Sequence, residues 1–259
     1  MLRDITIGQY YSTDSFVHRL DSRVKIRFTI IYIILSLIDR NAMLFGLLAI
    51  VFAVTLFLSK VPFRHLLKGT KPVILFILVC SALNIFTTYG NVLVKLGFIQ
   101  ITDAGLVKAL YVFLRMLLII FMSSILMYTT TPTELTDGLE KCFHLSGNVA
   151  MSITIALRFV SVLSEELSRI MRAQEARGAN FHSGGLVKRA KSLSTVIVPL
   201  FQNSIDRAGN LGDAMDARCY TGGKGRTKLN PLVYKGWDVI VYIVLIILTA
   251  ACIWLAVAF

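Results

Sequence analysis

Two arginines in matching surroundings are the residues of this 259-residue chain best suited to recognition chemistry. AQEARG runs from Ala173 to Gly178, and AMDARC from Ala214 to Cys219. Each reads alanine, any residue, acid, alanine, arginine, small residue. A guanidinium is a planar fork of donors that pairs with carboxylates and backbone carbonyls, and desolvated arginines often anchor protein interfaces. As last-turn cations, Arg177 and Arg218 would also face the negative end of a helix dipole, worth under about 1 kcal/mol. Gly178 would then be the left-handed residue that stops the helix. The dipole explains one instance, but not why Ala-x-acid-Ala precedes the arginine twice. Small alanines one turn back keep a helix tip thin enough for a groove on another protein. The repeat therefore predicts two docking tips, Ala176-Arg177-Gly178 and Ala217-Arg218-Cys219. Two similar tips predict two similar grooves, as on a partner with approximate two-fold symmetry.

The other chemistry-bearing residues do not converge. TGGKGRT (221–227) is glycine-rich, as a phosphate cradle is, but Lys224 is followed by Gly225 and GxxxxGK[ST] occurs nowhere. It reads as a flexible return to the membrane, and any ATP hydrolysis is expected in another subunit. His18, His65, His144 and His182 show no HxxxH or HExxH spacing, so neither a metal site nor a cofactor is expected. Glu165 and Glu166 lie on a helix face rich in Arg158, Arg169 and Arg172, which reads as a surface salt-bridge lattice. Arg115 is the one charge well inside an apolar span and a functional candidate by default, unless the span slides towards its C-terminal end and leaves it at the interface. Cysteines 80, 142, 219 and 252 form no CxxC pair, so neither a disulfide framework nor a zinc site is indicated.

Long helices must carry the two tips. From Val149 apolar residues recur at 149, 153, 156, 160, 163, 167 and 170, one stripe down a helix of about 50 Å if it runs to Arg177. His182-Ser183-Gly184-Gly185 interrupts it. A second stripe runs through Leu186, Ala190, Leu193, Ile197, Leu200, Ala208, Leu211 and Met215, with Pro199 expected to kink it. The two helices are expected to pack through their stripes. Upstream, Thr133 with Thr136 and Asp137 predicts a short capped helix over about 133–144. Ser146-Gly147-Asn148 breaks that helix and caps the next.

The remaining elements belong in a bilayer. Segments 239–259, 72–94 and 42–58 carry no charge, and 116–133 is mostly apolar. A helix crosses the hydrocarbon core with about 20 such residues, and these runs lack the alternation of barrel strands. Five spans are expected, at roughly 26–38, 42–58, 72–88, 109–128 and 238–257; the first is short and needs Lys25 and Arg27 to snorkel. The formal charge of +12 is unevenly placed. Five Lys/Arg precede the first span, only Arg40 follows it, the next loop has Lys60, Arg64, Lys68 and Lys71, and the one after only Lys95. That alternation predicts a cytoplasmic N-terminus, a cytoplasmic block over 129–235 and an outside C-terminus. Basic charge therefore sets orientation, and nucleic-acid binding is not expected. Residues 1–25 are polar, so no cleavable signal peptide is read there.

DSFVHRLDSRVKI (14–26), TTTPTELTDGLE (129–140), EELSRIMRAQEARG (165–178) and RAGNLGDAMDARCYTGGKGRT (207–227) together resemble the transmembrane T component of bacterial energy-coupling factor transporters, ABC-type importers of vitamins and transition metals. The likeness covers nearly the whole chain, with Ser22 where that family usually has proline and Cys219 where its second motif has glycine. It implies a non-enzymatic all-α membrane scaffold with a pair of long crossed cytoplasmic coupling helices. Two ABC ATPase subunits, A and A', would dock at the Ala-Arg motifs. A membrane-embedded substrate-binding S subunit would rest on the helices, with Val160, Leu163, Leu193 and Ile197 as contacts. ATP-driven closure would shift the helices and tilt the S subunit. A side chain at Cys219 disfavours the left-handed stop, so the second helix is expected to end differently, at Gly222. Residues 1–128 would form a membrane domain, 129–236 the coupling domain and 237–259 a closing span in the cell membrane. Two rivals are a self-contained ABC permease, which would be a homodimer with its own path, and a membrane transferase, which would need convergent titratable residues.

Overall fold

The computed structural model describes residues 10–11, 13–38, 42–87, 92–96, 99–179, 181, 186–222 and 232–258. The glycine-rich 223–227, the 182–185 break and Arg40 fall outside the described residues. In chain order the elements are α1 (Phe16–Arg19), α2 (Ser22–Ile38), α3 (Ala42–Ser59), α4 (Phe63–Thr87), β1 (Val92–Leu96), β2 (Ile99–Thr102), α5 (Asp103–Thr129), α6 (Pro132–Cys142), α7 (Gly147–Ala176), α8 (Leu186–Ala217) and α9 (Gly236–Ala258). The protein is an all-α membrane protein, with one short antiparallel hairpin, β1–β2, inserted between α4 and α5.

Two compact units share these elements: α1–α6, the hairpin and α9 in one, α7 and α8 in the other. Among the described residues, α5 and α7 are long and apolar enough to cross a membrane, and α3, α4 and α9 hold the shorter apolar stretches Met43–Ser59, Gly69–Asn84 and Gly236–Cys252. In α7 that property is confined to its apolar half. Glu165, Glu166, Arg169, Arg172 and Glu175 crowd the remainder, and each charge at a bilayer centre costs about 2.5–3.5 kcal/mol on insertion scales.

The first unit has one apolar core. Tyr32 and Leu35 of α2, Leu44 and Leu48 of α3, Leu66 of α4, Phe121, Met122 and Ile125 of α5 and Leu248 of α9 meet there. Burying each such side chain fully is worth about 1.5–3 kcal/mol. The core's two tyrosine hydroxyls are satisfied, Tyr32 donating to Leu48 O at 3.1 Å and Tyr128 to His65 O at 3.3 Å. Outside the core the same helices present Phe57, Leu75, Phe76 and Ile246, all more than 60% exposed, as lipid-facing surfaces do.

At one end of that unit the DSFVHRLDSRVKI segment forms a polar collar. Ser15 caps α1 by accepting from the His18 amide, and its hydroxyl meets His18 Nδ1 at 2.6 Å. The other ring nitrogen, Nε2, lies 2.9 Å from Tyr11 O. Lys25 is 6% exposed and donates to His18 O (3.1 Å) and Thr129 O (2.9 Å), tying α1 to α2 and α5. The Asp21 amide donates to Asp238 Oδ1 (2.9 Å), while Asp238, wholly buried, also accepts from the Lys235 amide (2.7 Å) and so caps α9. Arg23 adds a bond to Leu232 O (2.7 Å), and Arg27 one to the Tyr242 hydroxyl (2.9 Å). The motif thus joins the beginning of the described chain to its last helix. Ser22, where the related family has proline, is the first residue of α2; its buried hydroxyl oxygen has no partner among the described residues. A proline fits that position because the N–H there is outside the helix ladder.

The short helix after α5 starts earlier than Thr133. Thr131 accepts from the Glu134 amide, and the Glu134 carboxylate accepts from the Thr131 amide, each at 3.3 Å. That is a reciprocal capping box with Pro132 in the first turn. Gly138 on α6 permits close approach to α2: a Cβ there would lie 2.7 Å from Ile26 Cδ1 and 2.9 Å from Ser22 Oγ.

Candidate functional site

The two arginine phrases end their helices with one and the same backbone solution. At the end of α7, the Gly178 amide donates to Glu175 O and the Ala179 amide to Gln174 O, both at 2.9 Å, with Gly178 at φ +87°. At the end of α8, the Cys219 amide donates to Asp216 O at 2.9 Å and the Tyr220 amide to Met215 O at 3.1 Å. Both are Schellman stops, in which the two residues past the cap satisfy carbonyls the helix would leave orphaned.

Cys219 takes the glycine role at φ +55°, so α8 ends at Ala217 and does not run on to Gly222. The expected deviation is corrected. A left-handed non-glycine residue costs about 1–2 kcal/mol, and the two hydrogen bonds it allows offset that cost. In each case the arginine occupies the cap position itself, one residue beyond the last alanine. Ala176, Arg177 and Gly178, like Ala217, Arg218 and Cys219, are exposed. Among the described residues neither guanidinium has an ion-pair partner.

The helices behind the tips pack together, though not as two continuous stripes. Among the residues whose burial is described, Ala150, Glu166 and Ile170 of α7 and Val196 of α8 are buried. Val160, Leu193 and Ile197 stand 46%, 48% and 59% exposed, and Leu163 is half-buried. Val149, Ile153, Val198, Phe201 and Ile205 are exposed as well. The two helices do pack, while Val149, Ile153 and Val160 of the first stripe and Leu193 and Ile197 of the second stay exposed.

Glu166 is the residue that sequence reasoning misassigned. The expected pair with Arg169 is present, but the carboxylate is buried and not on the surface. It is 8% exposed, accepts from Asn203 Nδ2 at 3.1 Å, and lies 3.5 Å from Arg207 and 3.7 Å from Arg169. A carboxylate taken out of water needs such partners, and here they come from both helices, pinning the crossing. Its neighbour Glu165 is exposed. The available signal was Asn203 and Arg207 on the partner helix, a turn apart on one face.

Arg115 sits twelve residues past the start of α5. Its guanidinium lies over the Tyr111 ring at 4.8 Å and donates to that hydroxyl at 3.2 Å. Among the described residues no group of three His, Cys, Asp or Glu side chains could hold a metal ion.

The fold is that of a helical membrane protein whose α7–α8 unit ends in two exposed tips. Residues 13–229 match the CbiQ family, described as cobalt transport protein. The chain is 42% identical over 249 residues to a protein of Clostridium kluyveri named energy-coupling factor transporter transmembrane protein EcfT, covering 93% of this chain and 92% of that one. Proteins of the same name from Brevibacillus brevis and Bacillus subtilis are 40% and 37% identical, over 98% and 96% of this chain and 99% and 97% of theirs. The chain belongs to the CbiQ family and is a transmembrane T component of energy-coupling factor transporters. These relatives are named as transmembrane components of transporters.

Proposed function

We propose that this T component transmits force between ATPases and a substrate-binding subunit during uptake of vitamins or transition metals. The observation that carries the reading is the matched pair of helix stops, each presenting an arginine at the cap with its guanidinium in water. In this reading Arg177 and Arg218 seat in equivalent grooves of two ABC ATPase subunits, A and A'. The open apolar positions Val160, Leu193 and Ile197, with half-buried Leu163 beside them, support contact with a membrane-embedded S subunit, since contiguous exposed apolar surface marks interaction faces. Hydrolysis belongs to the ATPases.

The alternation of basic loops supports a cytoplasmic N-terminus and a cytoplasmic coupling domain over 129–236, set between a membrane domain (1–128) and a closing span (237–259). The charges crowding the C-terminal half of α7 support the same placement. Removing an arginine from a desolvated ion pair costs about 2–5 kcal/mol. Arg177→Ala with Arg218→Ala is therefore expected to release the ATPases from the purified complex, and each single variant to weaken one of two docking sites. Unchanged copurification at moderate salt would refute the assignment.

A further inference from the structure

After α6 the chain leaves the membrane unit at Cys142, and before α9 it returns to it at Leu232. One residue of α2 holds both points. The Cys142 thiol donates to Arg23 O at 3.7 Å, and Arg23 Nη2 donates to Leu232 O at 2.7 Å. The departing strand therefore meets the backbone of Arg23, and the returning strand meets its guanidinium.

Neither tie stands alone. A thiol is a weak donor, but Gly138 lets α6 close on Ser22 and Ile26, to either side of Arg23 along α2. On the returning strand the Arg23 guanidinium lies over the Tyr234 ring at 4.8 Å. Asp21 Oδ1 accepts from the Arg23 amide at 2.9 Å and lies 3.8 Å from Arg23 Nε, which steadies the side chain. Asp238 accepts from both the Lys235 and the Asp21 amides, so the strand is fixed to the start of α2 a second time. The Arg23 side chain is 13% exposed, and a guanidinium bond largely out of water is stronger than one between neutral groups.

A segment anchored at two distant points resists turning. One anchored at the two ends of a single residue turns about that residue without stretching either strand. We propose that Arg23 is the pivot on which segment 143–231 is mounted, so that force on α7 and α8 enters the membrane unit at the start of α2. That first turn is bonded to α1 and α5 through Lys25 and to the start of α9 through Asp21, which spreads the load across the unit. The source of the force rests on the function proposed above; the mounting does not.

The full chain alone, in lipid nanodiscs, tests the mounting. Spin labels are placed at Phe143→Cys and Val233→Cys, exposed positions next to the two ties. The background is Cys80→Ser, Cys142→Ser, Cys219→Gly and Cys252→Ala, of which Cys142→Ser keeps a donor for Arg23 O. Electron paramagnetic resonance is expected to give one narrow distance distribution. In Arg23→Ala the displaced population should rise about tenfold or more, the effect of losing one bond from a charged donor. A control pair at Phe57→Cys and Ile246→Cys, both exposed on helices of the membrane unit, should not change. An unchanged 143–233 distribution in Arg23→Ala overturns the proposal. Equal broadening of the control pair does so too, by making Arg23 a general prop of the fold. In the assembled transporter, Arg23→Ala should keep the ATPases bound and hydrolysing while substrate taken up per ATP falls severalfold; unchanged uptake per ATP, or loss of the ATPases, also overturns it. The docking assignment fails separately, by copurification that survives Arg177→Ala with Arg218→Ala, and that result leaves the distance measurement standing.

Discussion

Glu166→Ala removes the buried carboxylate from the α7–α8 crossing and leaves the Asn203 amide without its acceptor. A hydrogen bond to a charged acceptor contributes about 1.5–3 kcal/mol. The Arg207 and Arg169 side chains are 45% and 73% exposed, so water screens both, and each adds no more than about 0.5 kcal/mol. The crossing should lose about 2–4 kcal/mol, which speeds amide exchange through opening of the helix pair about 30- to 1000-fold. Glu166→Gln keeps an oxygen for Asn203 and drops the charge; about a tenfold acceleration is expected, the difference between a charged and a neutral acceptor. Asn203→Ala added to Glu166→Ala should cost little more, because the two residues share one bond. The assay is hydrogen–deuterium exchange with mass spectrometry on the purified full chain, following peptides on both sides of the crossing. Exchange in Glu166→Ala within about threefold of the parent, or full additivity with Asn203→Ala, would mean that apolar contacts hold the crossing and that Glu166 does not.

Cys219→Gly relieves the left-handed strain at the end of α8 and should stabilise that stop by about 1 kcal/mol, read as slower exchange of the Tyr220 amide, which donates to Met215 O; faster exchange would refute the Schellman assignment. Gly138→Ala drives a methyl into Ile26 and Ser22, and such overpacking costs about 1–3 kcal/mol, visible as a lower unfolding temperature of the detergent-solubilised chain. Burial pushes the His18 imidazole below its ordinary value of 6.5, outweighing the bond to Tyr11 O. The folded chain thus favours the neutral ring, and its stability contribution is complete above pH 6.5 and declines as the pH falls through the lower folded value. Unfolding temperature should therefore drop on acidification from pH 7 to pH 5, with a shallower slope in His18→Gln; equal slopes would show that the ring does not titrate with unfolding.

The amino-acid sequence alone determined the helical membrane class, the long helices with 3.6-residue stripes, the Ser146 cap and the two arginine endings. Each of these depends on residues within a turn or two of one another. The hairpin was also within reach, since VLVKL and IQIT are separated only by Gly97-Phe98. Tertiary structure decided which charges leave water. Glu165 and Glu166 look alike in sequence, yet only the second meets Asn203 and Arg207. Lys25, expected to snorkel, proves with Asp238 to be a buried tie among α1, α2, α5 and α9. Cys219 carries no local mark of a left-handed stop, and the geometry of the α8 end imposes one. Periodicity is set by neighbours along the chain, whereas the burial of a charge depends on which distant groups arrive to solvate it.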